Sequence, residues 1–312
     1  MNKSICKICE KEFDNDRSFH AHLKAHDIRM VAYYQKYYPR YDLHDEKIIK
    51  FKNKNQYFAS DFNTRTNLKL WLKDQPKEKA QEYCKNMLSA RKEEKGMIYT
   101  PSQVELKSML IPPVQYYDDL FGSYYKLCAD MGFKNKYQKI TDIVEGAEWN
   151  NPTYKIFIDT REQKPLKFKR PVEVRKLNFG DYAFSSAQAT CNCYVERKSL
   201  SDFVGTLSGG YERFINEIKR AEEDNAYLVV LVESSLSNAL NFQRLRHMSN
   251  KIKATPEFIF HRVRNLTQRY PFIQFLFVKG RKEASRVVNK IFVSGCIHKK
   301  FDLQLAYETK IL

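Results

Sequence analysis

The chain has 312 residues, of which 54 are Lys or Arg and 37 are Asp or Glu, so its formal net charge is +17. This length suggests two or three domains, and the basic excess indicates a polyanionic partner, with a solvated basic surface as the alternative. The longest apolar run, residues 226–232, is too short to cross a membrane, and the seven cysteines lack the spacing of a secreted disulfide scaffold. We therefore expect a protein of an intracellular, reducing compartment with no membrane partner.

The first pattern in the chain, at residues 6–26, is Cys-x2-Cys-x12-His-x3-His, with Phe13 and Phe19 between the two halves. A tight turn presents two thiolates, a short helix presents two imidazoles, and bound zinc supplies folding free energy on the order of 10 kcal/mol. The predicted zinc ligands are Cys6, Cys9, His22 and His26. Residues 1–28 are thus expected to form a two-Cys, two-His zinc finger, and chance placement of free thiols and surface histidines is the alternative.

Base reading by this finger is an open question. The helix positions that usually face bases are Asn15, Ser18 and Ala21, and none of them is arginine. A single finger also covers only about 3 bp. Anchoring to phosphates or docking to a protein explains the finger at least as well as sequence reading.

Residues 29–98 form a Tyr- and Lys-rich region that is expected to be mainly helical and to end in a linker. Tyrosines at positions 34, 37, 38 and 41 have helical spacing, which favours packing of one face over stacking on bases. Residues 74–96 are highly charged and indicate an exposed helix or linker. No catalytic pattern occurs in this region.

Residues 99–148 are predicted to form a small helical DNA-binding module. The segment 112–133, PPVQYYDDLFGSYYKLCADMGF, resembles a short repeat found beside homing endonuclease domains, with Phe-Gly-Ser and an aromatic residue between two helices. This resemblance makes Tyr124 a candidate DNA contact. An ordinary helix-turn-helix core is the alternative, because it gives the same pattern.

Residues 149–312 contain three groups of charged residues that each begin or end an apolar segment. Asp159 follows the run 154–158, Gly180 permits a turn before Asp181, and residues 193–198 are predicted to return as a strand after a hairpin loop at 186–192. Because side chains alternate along a strand, Glu196 and Lys198 share one face. Further apolar strands at 226–232 and 272–278 alternate with helices, which predicts an α/β core with helices on both faces.

This D…ExK arrangement predicts a divalent metal site. Asp181 and Glu196 are the expected main ligands of Mg²⁺ or Mn²⁺, Asp159 contributes directly or through water, and Lys198 positions water or offsets phosphate charge. A solvated charged hairpin in front of an ordinary helix is the alternative. The segment 164–176 carries a basic set for phosphate contacts against one acidic residue: Lys164, Lys167, Lys169, Arg170, Arg175 and Lys176.

Three runs carry a resemblance to a known family: IFIDTRE at 156–162, FGDYAF at 179–184 and VERKSLSDFVGTLSGGYERF at 195–214. They resemble the nuclease domain of the XPF/Mus structure-specific DNA endonucleases, whose signature is a DxRE strand end followed by GD and ERKxxxD. The resemblance implies a restriction-endonuclease-like fold, of the PD-(D/E)xK superfamily, with a mixed central sheet. It also adds Arg161, Arg197 and Asp202 to the site: either arginine as a phosphate clamp, and Asp202 to orient a neighbouring cation. Glu162 is ranked below these residues, because a solvent-facing position is the alternative for it.

The expected function is a metal-dependent DNA endonuclease of the homing or mobile-element type, from a phage or virus. Eukaryotic relatives end in paired helix-hairpin-helix modules, whereas only eleven residues follow Phe301 here, so the finger and the helical module are expected to deliver the substrate. A nuclease for flaps, forks or junctions and a non-catalytic zinc-finger DNA-binding protein are the alternatives. A homodimer through the nuclease domain is left open.

Overall fold

The structure, a computed structural model, describes residues 4–41, 48–51, 57, 65–139, 154–186, 192–245, 248, 252–294 and 297–312. Two compact units make up the chain: Met1–Leu88 with Met109–Pro112, and Ser89–Ser108 with Pro113–Leu312. Residues 187–191 of the hairpin loop predicted at 186–192, and the end of the predicted helical module, residues 140–148, lie outside the described residues. Within the described part of the chain, no helix has the length and apolar character needed to span a membrane.

The amino-terminal unit begins with a small ββα arrangement. Strands β1 (Ser4–Ile5) and β2 (Glu12–Phe13) pair antiparallel, and the helix Asp16–His22 continues into a 3-10 turn at Leu23–His26. The side chain of Asn15 accepts the Ser18 N–H, so this position caps the helix. Cys6, Phe19, Leu23 and Tyr33 form the buried centre of this arrangement.

The helix Met30–Tyr37 packs against these residues, so the packing interpretation holds for Tyr34 and Tyr37 and is wrong for Tyr38 and Tyr41. Tyr33 is fully buried and its hydroxyl accepts the Lys7 N–H at 2.7 Å, while the Tyr34 hydroxyl lies 2.9 Å from His20 Nε2. The buried face is centred on Tyr33, one position from the predicted stripe, and Tyr38 and Tyr41 are exposed. Two further helices follow, Arg65–Asp74 and Lys77–Lys95.

Three short helices, Gln103–Ser108, Val114–Phe121 and Tyr124–Asp130, follow in the second half of the chain. The Phe-Gly-Ser motif has a local reason: Gly122 ends one helix at a positive φ of 79°, and the Ser123 side chain accepts the Lys126 N–H to cap the next. Asp118 adds a second cap by accepting the Tyr124 N–H at 2.7 Å. The motif therefore encodes a tight connection between two helices.

A six-stranded mixed sheet forms the centre of the larger unit. Its strands are Tyr154–Asp159 (β3), Val172–Arg175 (β4), Tyr182–Ser186 (β5), Cys193–Lys198 (β6), Tyr227–Val232 (β7) and Ile273–Phe277 (β8). They lie in the order β4-β3-β5-β6-β7-β8. Strand β5 is antiparallel to both neighbours, whereas β3 and β4, β6 and β7, and β7 and β8 pair in parallel. The predicted mixed α/β fold is confirmed.

Helices cover both faces of this sheet. Leu228, Val230 and Val232 of β7 belong to one apolar cluster, and Val229 and Leu231 belong to the other, as the period-two alternation of a doubly buried strand requires. The helices of the first cluster are Leu200–Thr206, Tyr211–Glu223, Leu236–Ala239 and Pro256–Arg269, with a 3-10 turn at Phe242–Arg244. Those of the second are Arg281–Val293 and Leu303–Glu308, with a 3-10 turn at Ile297–Lys300.

The helix Gln103–Ser108 is joined to the carboxyl-terminal helix by buried polar contacts. The Gln103 N–H donates to Asp302 Oδ2 at 2.6 Å, and the Gln103 side chain donates to Glu308 Oε2 at 2.8 Å. Val104 belongs to the first apolar cluster of the sheet. This helix therefore packs as part of the sheet-containing unit.

Candidate functional site

Sheet topology brings the charged motifs to one edge. Asp159 ends β3, Asp181 immediately precedes β5, and Glu196 and Lys198 end β6. Because β5 runs antiparallel to both β3 and β6, its beginning meets their ends. Two backbone hydrogen bonds hold these strand ends together: the Asp159 N–H donates to the Asp181 carbonyl at 2.9 Å, and the Asp181 N–H donates to the Val195 carbonyl at 2.9 Å.

Asp181, Glu196 and Lys198 form the centre of the candidate site. The Lys198 ammonium donates to Glu196 Oε1 at 2.7 Å, which confirms that residues 196 and 198 share a face of β6. Burial raises the pKa of Glu196 to about 8, with the charge of Asp181 acting in the same direction. Burial also raises the pKa of Asp181 to about 6, although the Arg197 N–H donates to its Oδ2 at 2.7 Å. The carboxyl groups of Asp181 and Glu196 repel each other when both are charged, and the single ammonium of Lys198 does not offset both charges. This arrangement favours binding of a further cation.

Asp159 has a different role in this arrangement. Its carboxylate is almost fully buried and accepts bonds from Arg161 Nε at 2.6 Å, Arg161 Nη2 at 3.1 Å and Leu177 N at 2.7 Å. Burial opposes ionisation, but the Arg161 and Leu177 donors hold the pKa of Asp159 below its usual value. Both oxygens are thus engaged by protein donors, so Asp159 anchors Arg161, whose side chain is 61% exposed.

Arg197 and Glu162 form a largely buried ion pair. The Glu162 side chain is only 6% exposed and does not face solvent, since Arg197 Nη2 lies 2.9 Å from its Oε2. A second carboxylate, Glu233 at the end of β7, lies 3.2 Å from Arg197 Nη1 and 3.6 Å from Arg281 Nη1. Arg197 therefore ties strand ends together, and Arg161 is the arginine left open to a phosphate.

The remaining predicted residues of the nuclease domain lie at the surface around this edge. Asp202 accepts a bond from the Ser199 hydroxyl at 2.6 Å in the first turn of the helix Leu200–Thr206. The basic segment from Lys164 to Lys176 lies beside the sheet edge, and Arg281 donates to the carbonyls of Lys164 and Pro165. Its exposed members are Lys164, Lys167, Lys169, Arg175 and Lys176, and Arg170 is half-buried. The Arg175 guanidinium lies 3.4 Å from the centroid of the Phe157 ring.

Tyr124 is not exposed at any surface. It is fully buried, and its hydroxyl donates to the Pro101 carbonyl at 2.9 Å. Burial raises the pKa of Tyr124 well above its ordinary value. The predicted DNA contact is therefore replaced by a packing role inside the helical segment.

Two acidic residues at the site were not predicted. Glu233 follows β7 and could be inferred only from the sheet order, which places the end of β7 beside the end of β6. Glu217 lies on the helix Tyr211–Glu223 and accepts the Gly180 N–H at 3.1 Å. Its one sequence signal is a carboxylate between Phe214 and Ile218 on an otherwise apolar stripe.

The donor set at this edge fits a divalent cation in part. Asp181 and Glu196 offer the carboxylate oxygens that Mg²⁺ and Mn²⁺ prefer, and the raised pKa values of both groups show the electrostatic strain that a cation relieves. Asp159 does not join them as a third close ligand. Throughout the described ranges, the sole group of three or more candidate ligands with donor atoms within 4.8 Å of one another is Cys6, Cys9, His22 and His26.

That Cys/His group brings four candidate zinc ligands together. Cys9 Sγ lies 3.2 Å from His22 Nε2, Cys6 Sγ lies 3.6 Å from His26 Nε2, and the two Nε2 atoms are 3.0 Å apart. Tetrahedral zinc with Zn–S of about 2.3 Å and Zn–N of about 2.0 Å sets donor separations of about 3.3–3.8 Å, so the Cys6–His26 pair lies in this range and the other two pairs are slightly closer. Burial works against a thiolate at Cys6, yet the N–H groups of Ile8 and Cys9 lower its pKa, which favours the ligating form.

Comparisons with known proteins bear on the sheet-containing unit. Residues 158–291, which are 134 of the 312 residues, match the sequence model of the ERCC4 domain. A solved structure of XPF from Aeropyrum pernix in complex with DNA is similar, with 18% identity, a TM-score of 0.35, and coverage of 46% of this chain and 64% of that one. A second structure of XPF from Aeropyrum pernix has 20% identity, a TM-score of 0.34, and coverage of 44% and 59%.

This chain therefore spans less than two thirds of either XPF structure. The search of curated proteins gave no match. The ERCC4 match begins at Ile158, ends at Ile291, and contains the DxRE, GD and ERKxxxD motifs that meet at the sheet edge. Residues 158–291 of this chain therefore match an ERCC4 domain, and the motifs within that match lie at one edge of the mixed sheet.

Proposed function

We propose that the protein is a metal-dependent DNA endonuclease that hydrolyses phosphodiester bonds at the edge of this sheet. The observation that carries the proposal is the placement of Asp181, Glu196 and Lys198 together within an ERCC4 domain. A domain that has lost catalysis would have no reason to keep two mutually repelling, largely buried carboxyl groups. This argues against the non-catalytic alternative.

The residues divide the chemistry among them. Asp181 and Glu196 would hold the divalent cation, which, when bound, neutralises phosphate charge and makes water a stronger nucleophile. Lys198, 2.7 Å from Glu196, is placed to orient the attacking water and to offset developing negative charge. Arg161, anchored by Asp159 and exposed on its other side, is placed to bind the phosphate next to the scissile bond.

Charge supports DNA as the substrate. The chain carries a net charge of +17, and the exposed basic segment 164–176 is held against the helix Arg281–Val293 beside the site. Contacts of this kind neutralise backbone phosphates and make binding strongly dependent on salt. Replacing both Lys167 and Lys169 by Ala would reduce the slope of the logarithm of the DNA-binding constant against the logarithm of the salt concentration by about two.

Two modes of substrate selection follow from different parts of the chain. If the Cys6, Cys9, His22 and His26 group holds zinc and the finger reads bases, cutting is directed to a site, as in a homing or mobile-element nuclease of phage or viral type. The ERCC4 domain itself favours flaps, forks or junctions. The two modes are separated by sequencing the DNA ends that the protein produces from a random linear library and from fork and flap substrates. Ends at a defined sequence support the first mode, and ends at branch points support the second.

The proposal as a whole is tested with Asp181→Asn and Glu196→Gln in the full-length protein. Each variant is expected to lose at least about a hundredfold in cleavage rate with Mg²⁺ while retaining DNA affinity, because each removes a proposed cation ligand and no phosphate contact. Glu222→Gln, an exposed substitution elsewhere in the unit, is the matched control. Undiminished cleavage by both site variants would refute the assignment.

A further inference from the structure

We propose that Glu217 is a positioning residue of this site, whose carboxylate holds the Gly180–Asp181 turn so that Asp181 faces the cation position. This inference rests on the proposed function, since it concerns the presentation of one of its ligands. It adds a residue from a helix that carries none of the three motifs.

Glu217 occupies an unusual place on its helix. Phe214, Ile218 and Ala221 are the buried residues of the helix Tyr211–Glu223, and Glu217 lies three residues after the first and four before the last, on the same face. A carboxylate on a buried apolar face is costly unless a donor compensates it. The donor here is the Gly180 N–H, 3.1 Å from Glu217 Oε1.

The turn that donates this hydrogen bond has little conformational freedom of its own. Gly180 is buried and has a positive φ of 70°, a conformation that side-chain-bearing residues rarely adopt. A Cβ at this position would lie 3.2 Å from Tyr194 Cβ and 3.4 Å from the Val195 carbonyl oxygen. The backbone therefore passes close to β6 at this point, and its N–H points away from the sheet toward the helix.

Asp181 is consequently held from three sides. Its N–H donates to the Val195 carbonyl at 2.9 Å, its Oδ2 accepts the Arg197 N–H at 2.7 Å, and the residue before it is held by Glu217. The first two bonds come from β6 and the third from the helix. Loss of the third would free the turn without removing any proposed cation ligand.

The helix also contacts the site at a second point. The Lys198 ammonium lies 5.4 Å from the centroid of the Phe214 ring, one turn before Glu217. In the described residues, Glu217 has no cation partner within the 4.0 Å limit of an ion pair, whereas the ammonium of Lys198 pairs with Glu196. The hydrogen bond to Gly180 is the direct contact through which we infer that Glu217 acts. The charge of Glu217 also acts on Glu196 and Arg161, and a Glu217→Gln variant separates the two effects.

The test compares Glu217→Gln, which keeps an acceptor oxygen, with Glu217→Ala, which does not. Mn²⁺ binding to the zinc-loaded full-length protein is measured by calorimetry, beside thermal unfolding and cleavage. We expect Ala to weaken Mn²⁺ binding about 10–100-fold and Gln to change it by no more than about threefold. Glu222→Ala, an exposed change on the same helix, serves as the control and should match the wild type.

Two results would overturn the inference: unchanged Mn²⁺ affinity in Glu217→Ala, or equal losses in the Ala and Gln variants, which would show that the charge or direct ligation matters instead. Thermal unfolding separates positioning from a general loss of structure, because the Ala variant is expected to keep a cooperative transition. If Asp181→Asn binds Mn²⁺ as well as the wild type does, the proposed cation site itself fails, and this outcome is distinct from a failure of Glu217 alone.

Discussion

Arg197 makes three hydrogen bonds to the carboxylate of Glu162, from Nε to Oε2 at 3.0 Å and from Nη2 to Oε1 and Oε2 at 3.0 and 2.9 Å. The pair joins the end of β6 to the turn after β3, although β5 lies between these strands. The backbone N–H of the same arginine donates to Asp181. One residue of the ERK motif thereby supports a proposed metal ligand with its main chain and binds two strand ends with its side chain.

Arg197→Ala is therefore expected to destabilise the larger unit. It leaves the carboxylates of Glu162 and Glu233 buried without their shared partner, and breaking a buried pair from one side costs about 3–5 kcal/mol. Urea denaturation followed by circular dichroism measures this loss, with the exposed Arg213→Ala as the control. A loss below about 1 kcal/mol would show that Arg197 contributes as a surface residue does.

Asp302 gives the sheet-containing unit a predictable dependence on pH. Burial raises the pKa of this carboxyl group to about 6 in the folded protein, above its ordinary value. As the pH rises from about 4 to about 6, the unfolded chain releases this proton first, so the free energy of unfolding falls by roughly 3 kcal/mol and then stays level.

The measurement compares the wild type with Asp302→Asn across this pH range. Asn cannot titrate, so the difference in the free energy of unfolding between the two proteins should change between pH 4 and 6 and be constant above it. The change of this difference with pH is informative even though the Asp302→Asn substitution also removes one oxygen that accepts the Gln103 N–H. The exposed Asp130→Asn should show no such change with pH relative to the wild type.

Local rules allowed part of the site to be predicted from the sequence. Period-two alternation placed Glu196 and Lys198 on one face, and Gly180 indicated the turn before Asp181; both features are present. The partner of Arg197 could not be predicted in this way. Its contact with Glu162 depends on the order of three strands, which no local pattern specifies.

Periodicity also shows which aromatic residues share a face without showing which way that face points. Tyr124 has the position of a surface aromatic in a repeat-like segment, yet it is buried, and Tyr41 shares the predicted stripe, yet it is 54% exposed. Glu217 was missed for the opposite reason. The helix Tyr211–Glu223 has an apolar face, and a single carboxylate on that face carries no local sign of a contact with the turn before Asp181.

Tyr124→Phe tests the packing role of this tyrosine. The change removes the hydroxyl that donates to the Pro101 carbonyl, so we expect a loss of about 1 kcal/mol in the free energy of unfolding. DNA affinity should remain that of the wild type, because the ring is buried. Tyr41→Phe, a matched change at an exposed position, should alter neither quantity. A drop in DNA affinity without a loss of stability would contradict the packing role and would support a direct contact between Tyr124 and DNA.

Zinc content tests the Cys/His group directly. The purified protein is expected to hold about one zinc per chain, because four donors of the right type lie within 4.8 Å of one another. Cys9→Ser should lose that zinc and the amide-exchange protection of residues 4–26, since bound metal supplies much of the folding free energy of such a small unit. His20→Ala is the matched control, because His20 lies on the same helix outside the ligand set and should leave the zinc content unchanged. Equal zinc content in Cys9→Ser and the wild type would place the metal elsewhere in the chain.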